Sequence, residues 1–253
     1  MSDRNILFVC EGSNDEPKFL KALMKKTCPE YNFKIYSYNT TIHTLAYKLR
    51  KYYPDFDSGD TDIAAILKDL EEDEEKRSLL SERFSDIILA FDFDPHHKNP
   101  DFEMVERMLT YYVESSDMGK LYINYPMMQS YRHVRSLSDM EYLERYASPR
   151  GYKELVSKES GIGNLSQYGY NSYMKIASLN VNKAWYFLTG GNRFPSREEY
   201  LSIRWSDLYA KALDHYKKTL LSPVLNTLIF FKIDFNTQVF FNQLVRHPDK
   251  FQL

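Results

Sequence analysis

The chain has 253 residues, 43% hydrophobic and 27% charged, with a net charge of −2. That composition excludes intrinsic disorder and suffices for one large globular unit or two modest ones. No apolar stretch approaches the ~18 residues of a membrane span, and two cysteines, Cys10 and Cys28, are too few for a disulfide framework or a zinc site. Met1 to Arg4 run into a strand-like segment instead of a signal peptide, so the expectation is a cytoplasmic protein.

Ile6 to Val9 is a short apolar run, read as a buried strand, followed by Cys10 and then Glu11-Gly12-Ser13-Asn14-Asp15. Phe19, Leu20, Leu23 and Met24 recur at helical spacing and predict a helix from about Asp15 to Lys26. With Ser13 as N-cap, Pro17 would fall at the fourth helical position and delete a needed N–H bond, so Asn14 or Asp15 is the better cap. Phe33 to Tyr38 alternates like a strand, Ile42, Leu45, Ala46 and Leu49 mark a second helix, and a long helix is expected from Thr61 to Arg83, with Asp69 to Glu75 on its solvated face. A second acidic strand, Asp86 to Phe91, leads into Asp92-Phe93-Asp94. A helix from Phe102 to Ser116 and a strand from Leu121 to Asn124, ended by Pro126, complete a β-α-β-α(α)-β-α-β order. Such alternation implies an α/β fold with a parallel sheet and helices on both faces. Beyond Met127, helices are expected around Asp139 to Tyr146, Ser172 to Leu188 and Arg197 to Leu220, with Leu228 to Ile233 as a late strand. The expected organisation is an α/β domain over residues 1–126 and a mostly α-helical domain over 127–253.

Charge divides along similar lines. Residues 1–119 hold 15 Lys and Arg against 24 Asp and Glu, a balance of −9; residues 120–253 hold 18 against 11, a balance of +7. An acidic half joined to a basic one suits a metal-dependent nuclease, because phosphate backbones are held mainly by Lys and Arg.

Carboxylates at the carboxyl ends of parallel strands converge on one crevice. Glu11, Asp15, Asp92 and Asp94 in one crevice repel each other unless a cation neutralises them, which points to a hard divalent metal and phosphate chemistry. Gly12 allows a tight turn and close approach of a phosphate. Asp92 and Asp94, two apart, share a face on an extended segment and can grip one cation together. Asp15 serves equally as a helix cap. His96 and His97, after Pro95, are either a solvated loop pair or groups beside a metal. Lys175 and Lys183 lie on a predicted helix of the basic half and are candidates for binding substrate and steadying a pentavalent phosphorus, with surface solvation their ordinary role. Tyr168, Tyr170 and Tyr173 beside Lys175 are placed either to stack on unpaired bases or to pack in helix seams. Gly161-Ile162-Gly163 lacks the flanking strand and helix of a dinucleotide site.

Glu11-Gly12-x-x-Asp15 after an N-terminal strand, a helix carrying Phe19-Leu20, and Asp92-x-Asp94 after the third strand together resemble the TOPRIM fold of primases, topoisomerases and the OLD-family and related defence nucleases. The resemblance spans residues 5–126. Similar in size and layout are small TOPRIM nucleases that serve as toxin effectors of bacterial antiviral (anti-phage) defence, some of which cut tRNA. It implies that Glu11 is a metal ligand or general acid/base, that Asp92 and Asp94 hold Mg²⁺ or Mn²⁺, and that Asp15 joins a second metal site. It further implies a controlling partner such as a regulatory ATPase, or a homo-oligomer. OLD-like members supply a further acid after the fourth strand, where this chain has Gln129, a poor metal ligand. The expectation is a magnesium-dependent endonuclease, a hydrolase acting on tRNA, other RNA or DNA. A HAD-like phosphatase using Asp92 and Asp94 is the alternative, although its motif opens the fold and would leave Glu11 idle. A non-catalytic regulatory or scaffold module is the third reading. A topoisomerase is not expected, because the chain is short for the strand-gating domains such enzymes need.

Overall fold

Among the described residues of the computed structural model, five of seven strands form one sheet in the order β2-β1-β3-β5-β4. The structure describes residues 4–59, 62–163 and 168–246. Met1 to Asp3, the expected helix start at Thr61 and the residues from 247 onward lie outside them. β1 (Asn5–Cys10), β2 (Asn32–Ser37), β3 (Asp86–Asp92) and β5 (Gly119–Asn124) run parallel. β4 (Val113–Glu114) closes the far edge as an antiparallel hairpin with β5. The central strands are apolar throughout because helices cover both faces: Ile6 to Cys10 and Ile87 to Phe91 are all buried. Each such aliphatic or aromatic side chain stabilises the fold by roughly 1.5–3 kcal/mol.

From β1 the chain crosses outward through α1 (Asp15–Thr27) to β2, then returns past β1 through α2 (Ile42–Tyr52), α3 (Ile63–Leu70) and α4 (Glu74–Leu80) to β3. From there α5 (Phe102–Tyr111) leads on toward β5. Right-handed crossovers in opposite directions place their helices on opposite faces, and the reversal leaves a crevice between the carboxyl ends of β1 and β3.

The expected long helix from Thr61 to Arg83 is instead two helices. Glu71 accepts the backbone N–H groups of Glu72 and Asp73, and Asp73 caps α4 by accepting the Lys76 N–H at 3.0 Å. The acid run is thus solvated as expected, Glu71 apart, but it spans a helix break and cap instead of one continuous helix face. The helix expected to reach Ser116 stops at Tyr111, where the β4–β5 hairpin begins.

After Pro126 come two short 3-10 helices (Met128–Arg132 and Met140–Glu144), β6 (Tyr146–Ala147), α6 (Tyr152–Glu159) and α7 (Tyr170–Thr189). α8 (Arg197–Leu201), α9 (Trp205–Thr219) and β7 (Ser222–Pro223), which pairs with β6, follow. The expected strand at Leu228 to Ile233 is helical: a 3-10 turn (Leu228–Phe230), then α10 (Phe231–Asp234) and α11 (Thr237–Arg246). Asn226 holds that turn by accepting the Ile229 N–H at 3.2 Å. A short apolar run buried on all sides does not declare its period. The buried core runs without interruption from β1 to α11 across residue 127, and no described helix is long and apolar enough to cross a membrane.

Candidate active site

Glu11 and Asp92 end the two strands that flank the crevice. Cys10 pairs with Ala90 in the ladder, and the Glu11 N–H extends it by donating to the Ala90 carbonyl at 3.1 Å. The Glu11 carboxylate then accepts the Asp92 N–H at 3.1 Å, which ties the two acids together across the sheet. Asp92 Oδ1 accepts the Met128 N–H at 2.7 Å, so the 3-10 helix after β5 is anchored on the same carboxylate.

Gly12 lies against the carboxylate of Glu16. A Cβ there would lie 2.8 Å from Glu16 Oε2, so the glycine leaves room for the carboxylate of Glu16, which is only 7% exposed. Asp15, by contrast, is about half exposed, with its side chain at 48%. It accepts Gln129 Nε2 at 2.5 Å and lies 4.0 Å from Lys153 Nζ. Gln129, where a further acid was expected, thus partners an acid; its own Oε1 is buried without a hydrogen-bond partner. Glu11, Asp15, Glu16, Asp92 and Lys153 line one cleft of about 430 Å³, with Asn39 to Thr41 on its other wall.

The electrostatics follow from three inward carboxylates facing one ammonium. Burial first, then the charges of Asp94 and Glu16, push Glu11 up to about 8, against the opposing pull of the Asp92 N–H and Lys153. Asp92 is driven well above the carboxylate range by burial, then by Glu11 and Glu16, and Glu16 is raised mainly by burial. A cation in the cleft would return these groups to their ionised forms. Among the described residues no three His, Cys, Asp or Glu side chains form a ready-made metal cage. Mg²⁺ does not need one: it is commonly held through one or two carboxylates together with waters and substrate phosphate. The donor set of Glu11 and Asp92 fits that mode.

Asp94 takes a left-handed backbone conformation, with φ of 38°, and its Oδ1 lies 3.5 Å from His96 Nε2. It is thus separated from Asp92 in its contacts, though its charge still reaches Glu11. His97 stacks near buried His43 at 5.3 Å, and His43 is pushed down chiefly by burial. Lys183 is not at the cleft. It is fully buried, donates to the carbonyls of Leu143 and Arg145, and burial brings it down to about 7. Lys175 is half-buried on α7 and lines neither the cleft nor the groove beside it. Tyr173 is in the core, Tyr168 packs against it, and Tyr170 donates to Gln243 at 3.1 Å.

Two site residues escaped the sequence reading. Glu16 follows no strand end, and its inward position is set by the turn at Gly12 that its carboxylate faces. Lys153 comes from α6, 61 residues after Asp92, and no local pattern marks it. No protein-family model, curated protein or solved structure matches this chain.

Proposed function

We propose that the cleft is the catalytic centre of a metal-dependent endonuclease that hydrolyses nucleic-acid phosphodiesters. The observation that carries this reading is the bonded pair Glu11 and Asp92 at the switch point of a parallel sheet, facing Lys153. The strand order and the acids at the ends of β1 and β3 support a TOPRIM-like assignment. The toxin-effector role in antiviral defence and its ATPase partner extend the proposal from the sequence resemblance.

In this reading Glu11 and Asp92 would hold Mg²⁺ or Mn²⁺, whose bound charge would neutralise the acids and polarise a phosphoryl oxygen. Lys153 pairs with a non-bridging phosphate oxygen as negative charge builds. Glu16, raised by burial, accepts the proton of the attacking water. The Met128 N–H, donating to Asp92 Oδ1, and the Asp92 N–H, donating to Glu11 Oε2, fix both acids before substrate arrives.

The test incubates purified protein with tRNA, single-stranded DNA, plasmid and a generic phosphomonoester, in Mg²⁺, Mn²⁺ or EDTA. Nucleic-acid cleavage is expected with metal only, and Glu11→Gln or Asp92→Asn lowers its rate at least ~100-fold. Cleavage that persists in EDTA or in both variants rejects the mechanism. Turnover of the phosphomonoester alone makes the centre a phosphatase.

A further inference from the structure

Asp15 lines a second depression as well as the acid cleft. This groove, of about 700 Å³, runs between α1 and the 3-10 helix Met128–Arg132 and is lined by Lys18, Lys21, Lys25 and Arg132. The three lysines follow at i, i+3 and i+7, so they form one row on the solvent face of α1, and all three are exposed. None of the four cations makes an ion pair with a described residue. The floor beneath them is aromatic: Phe19 stacks on Tyr131 with centroids 4.4 Å apart. At the end toward the cleft, Gln129 presents its buried, unpartnered Oε1 beside Asp15.

A row of unpaired ammonium groups that terminates at an acid-lined cleft fits a polyanion whose next unit must enter that cleft. From Lys18 to Lys25 the helix rises ~10 Å, so the lysine row is long enough to follow a short stretch of a polyanion and not a single phosphate. We propose that this groove is the track for the phosphodiester backbone of the substrate, with Lys18, Lys21, Lys25 and Arg132 holding phosphates on one side of the scissile bond. The assignment rests on the nuclease reading for its direction, and on the groove's own charge for its ligand. It also places the principal backbone contacts in the acidic half of the sequence, on the reverse side of the helix that supplies Glu16.

Binding is separated from cleavage by using the Glu11→Gln protein in EDTA. Fluorescence anisotropy is read with labelled single-stranded RNA, single-stranded DNA and duplex DNA of one sequence, between ~50 and ~200 mM salt. Adding Lys18→Gln, Lys21→Gln and Lys25→Gln together is expected to weaken binding at least tenfold at the lower salt. It should also flatten the slope of log K against log salt by about 2, three contacts at ~0.7 each for a single strand. The probe bound most tightly identifies the nucleic acid. Equal affinity and slope with and without the lysines overturns the groove; if the parent protein still cleaves, the nuclease reading survives that loss. Binding that depends on the lysines while the parent cleaves nothing in Mg²⁺ or Mn²⁺ keeps the groove and removes the catalytic reading. Absence of salt-dependent binding to every probe overturns the groove outright.

Discussion

Glu11 ends a buried strand, yet its carboxylate must be ionised to hold a cation. In the metal-free protein its pKa rises from an ordinary 4.5 to about 8, so between these values the folded state keeps a proton that the unfolded state has lost. Stability therefore falls as pH rises through that window and levels off above it. Asp92 and Glu16 shift the same way and steepen the fall. In EDTA, melting temperature should drop from about pH 5 to about pH 8, and Mg²⁺ should restore most of the loss at the upper end. Glu11→Gln should melt ~2–4 °C above the parent at the higher pH in EDTA, the shift of roughly 1 kcal/mol, with no gain at the lower pH. A scanning-fluorimetry series in which stability rises with pH, or is indifferent to Glu11→Gln, contradicts this electrostatic account. The positions of Glu11 and Asp92 were legible in the sequence because a carboxylate directly after an apolar run has a place fixed by the strand itself, whereas Asp94, in a left-handed conformation beyond the strand end, does not share a face with Asp92 as an extended segment would. Glu16 and Lys153 were not legible, because their places depend on a turn geometry and on a helix folded back from far along the chain. The same residue types thus differ in legibility according to whether local or long-range contacts place them.

Helices and strands show the same division. Three of the parallel strands were readable from apolar runs bounded by turn residues, β2 from its alternation, and α1 from its spacing. The break at Glu71 to Asp73 was not, because it depends on side chains capturing backbone N–H groups and on Tyr36 of β2 donating to Glu71 at 2.5 Å. Lys183 illustrates how an element can redirect a residue's role. Its polar head was expected at the surface, facing solvent or substrate, but α7 packs against the 3-10 helix Met140–Glu144, and the amine joins the two by donating to the Leu143 and Arg145 carbonyls. Its ring contact with Tyr146, 4.3 Å from the centroid, adds a second tie. A lysine lowered from 10.5 to about 7 is neutral in the folded protein and charged in the unfolded one between those values, so stability rises with pH across that window. Lys183→Met should abolish that rise. It should also cost about 1–3 kcal/mol at the alkaline end, where two buried carbonyls lose a donor. Cleavage per folded molecule should be unchanged. A variant of normal stability that has lost cleavage would return Lys183 to the substrate.

At the level of the whole molecule, the acidic and basic halves of the sequence do not remain apart. Lys153 from the second half faces the acids of the first, while Lys18, Lys21 and Lys25 from the first half make the basic groove. Covalent order and folded order diverge in the core as well. Tyr125 and Leu225 exchange two backbone hydrogen bonds of 2.7 Å, which adds a late segment beside β5. Thr227 donates to the Ile123 carbonyl at 2.8 Å, and Leu228 N–H to Asn124 Oδ1 at 3.2 Å. The Phe231 ring meets Phe8 of β1 at 5.2 Å, and Asp234 accepts the Tyr122 hydroxyl at 2.6 Å. Removing residues 127–253 would therefore uncover one face of the central sheet and withdraw the Met128 N–H from Asp92. Each large apolar side chain returned to water costs roughly 1.5–3 kcal/mol, so a handful equals the ~5–15 kcal/mol that holds a typical domain together. A fragment of residues 1–126 should show helical far-ultraviolet dichroism, bind a hydrophobic dye, and lack both a cooperative melting transition and any cleavage. A sharp melt with dispersed amide resonances would establish instead that the sheet folds without its C-terminal cover. The cover would then act on the site alone, through Met128, Gln129 and Lys153.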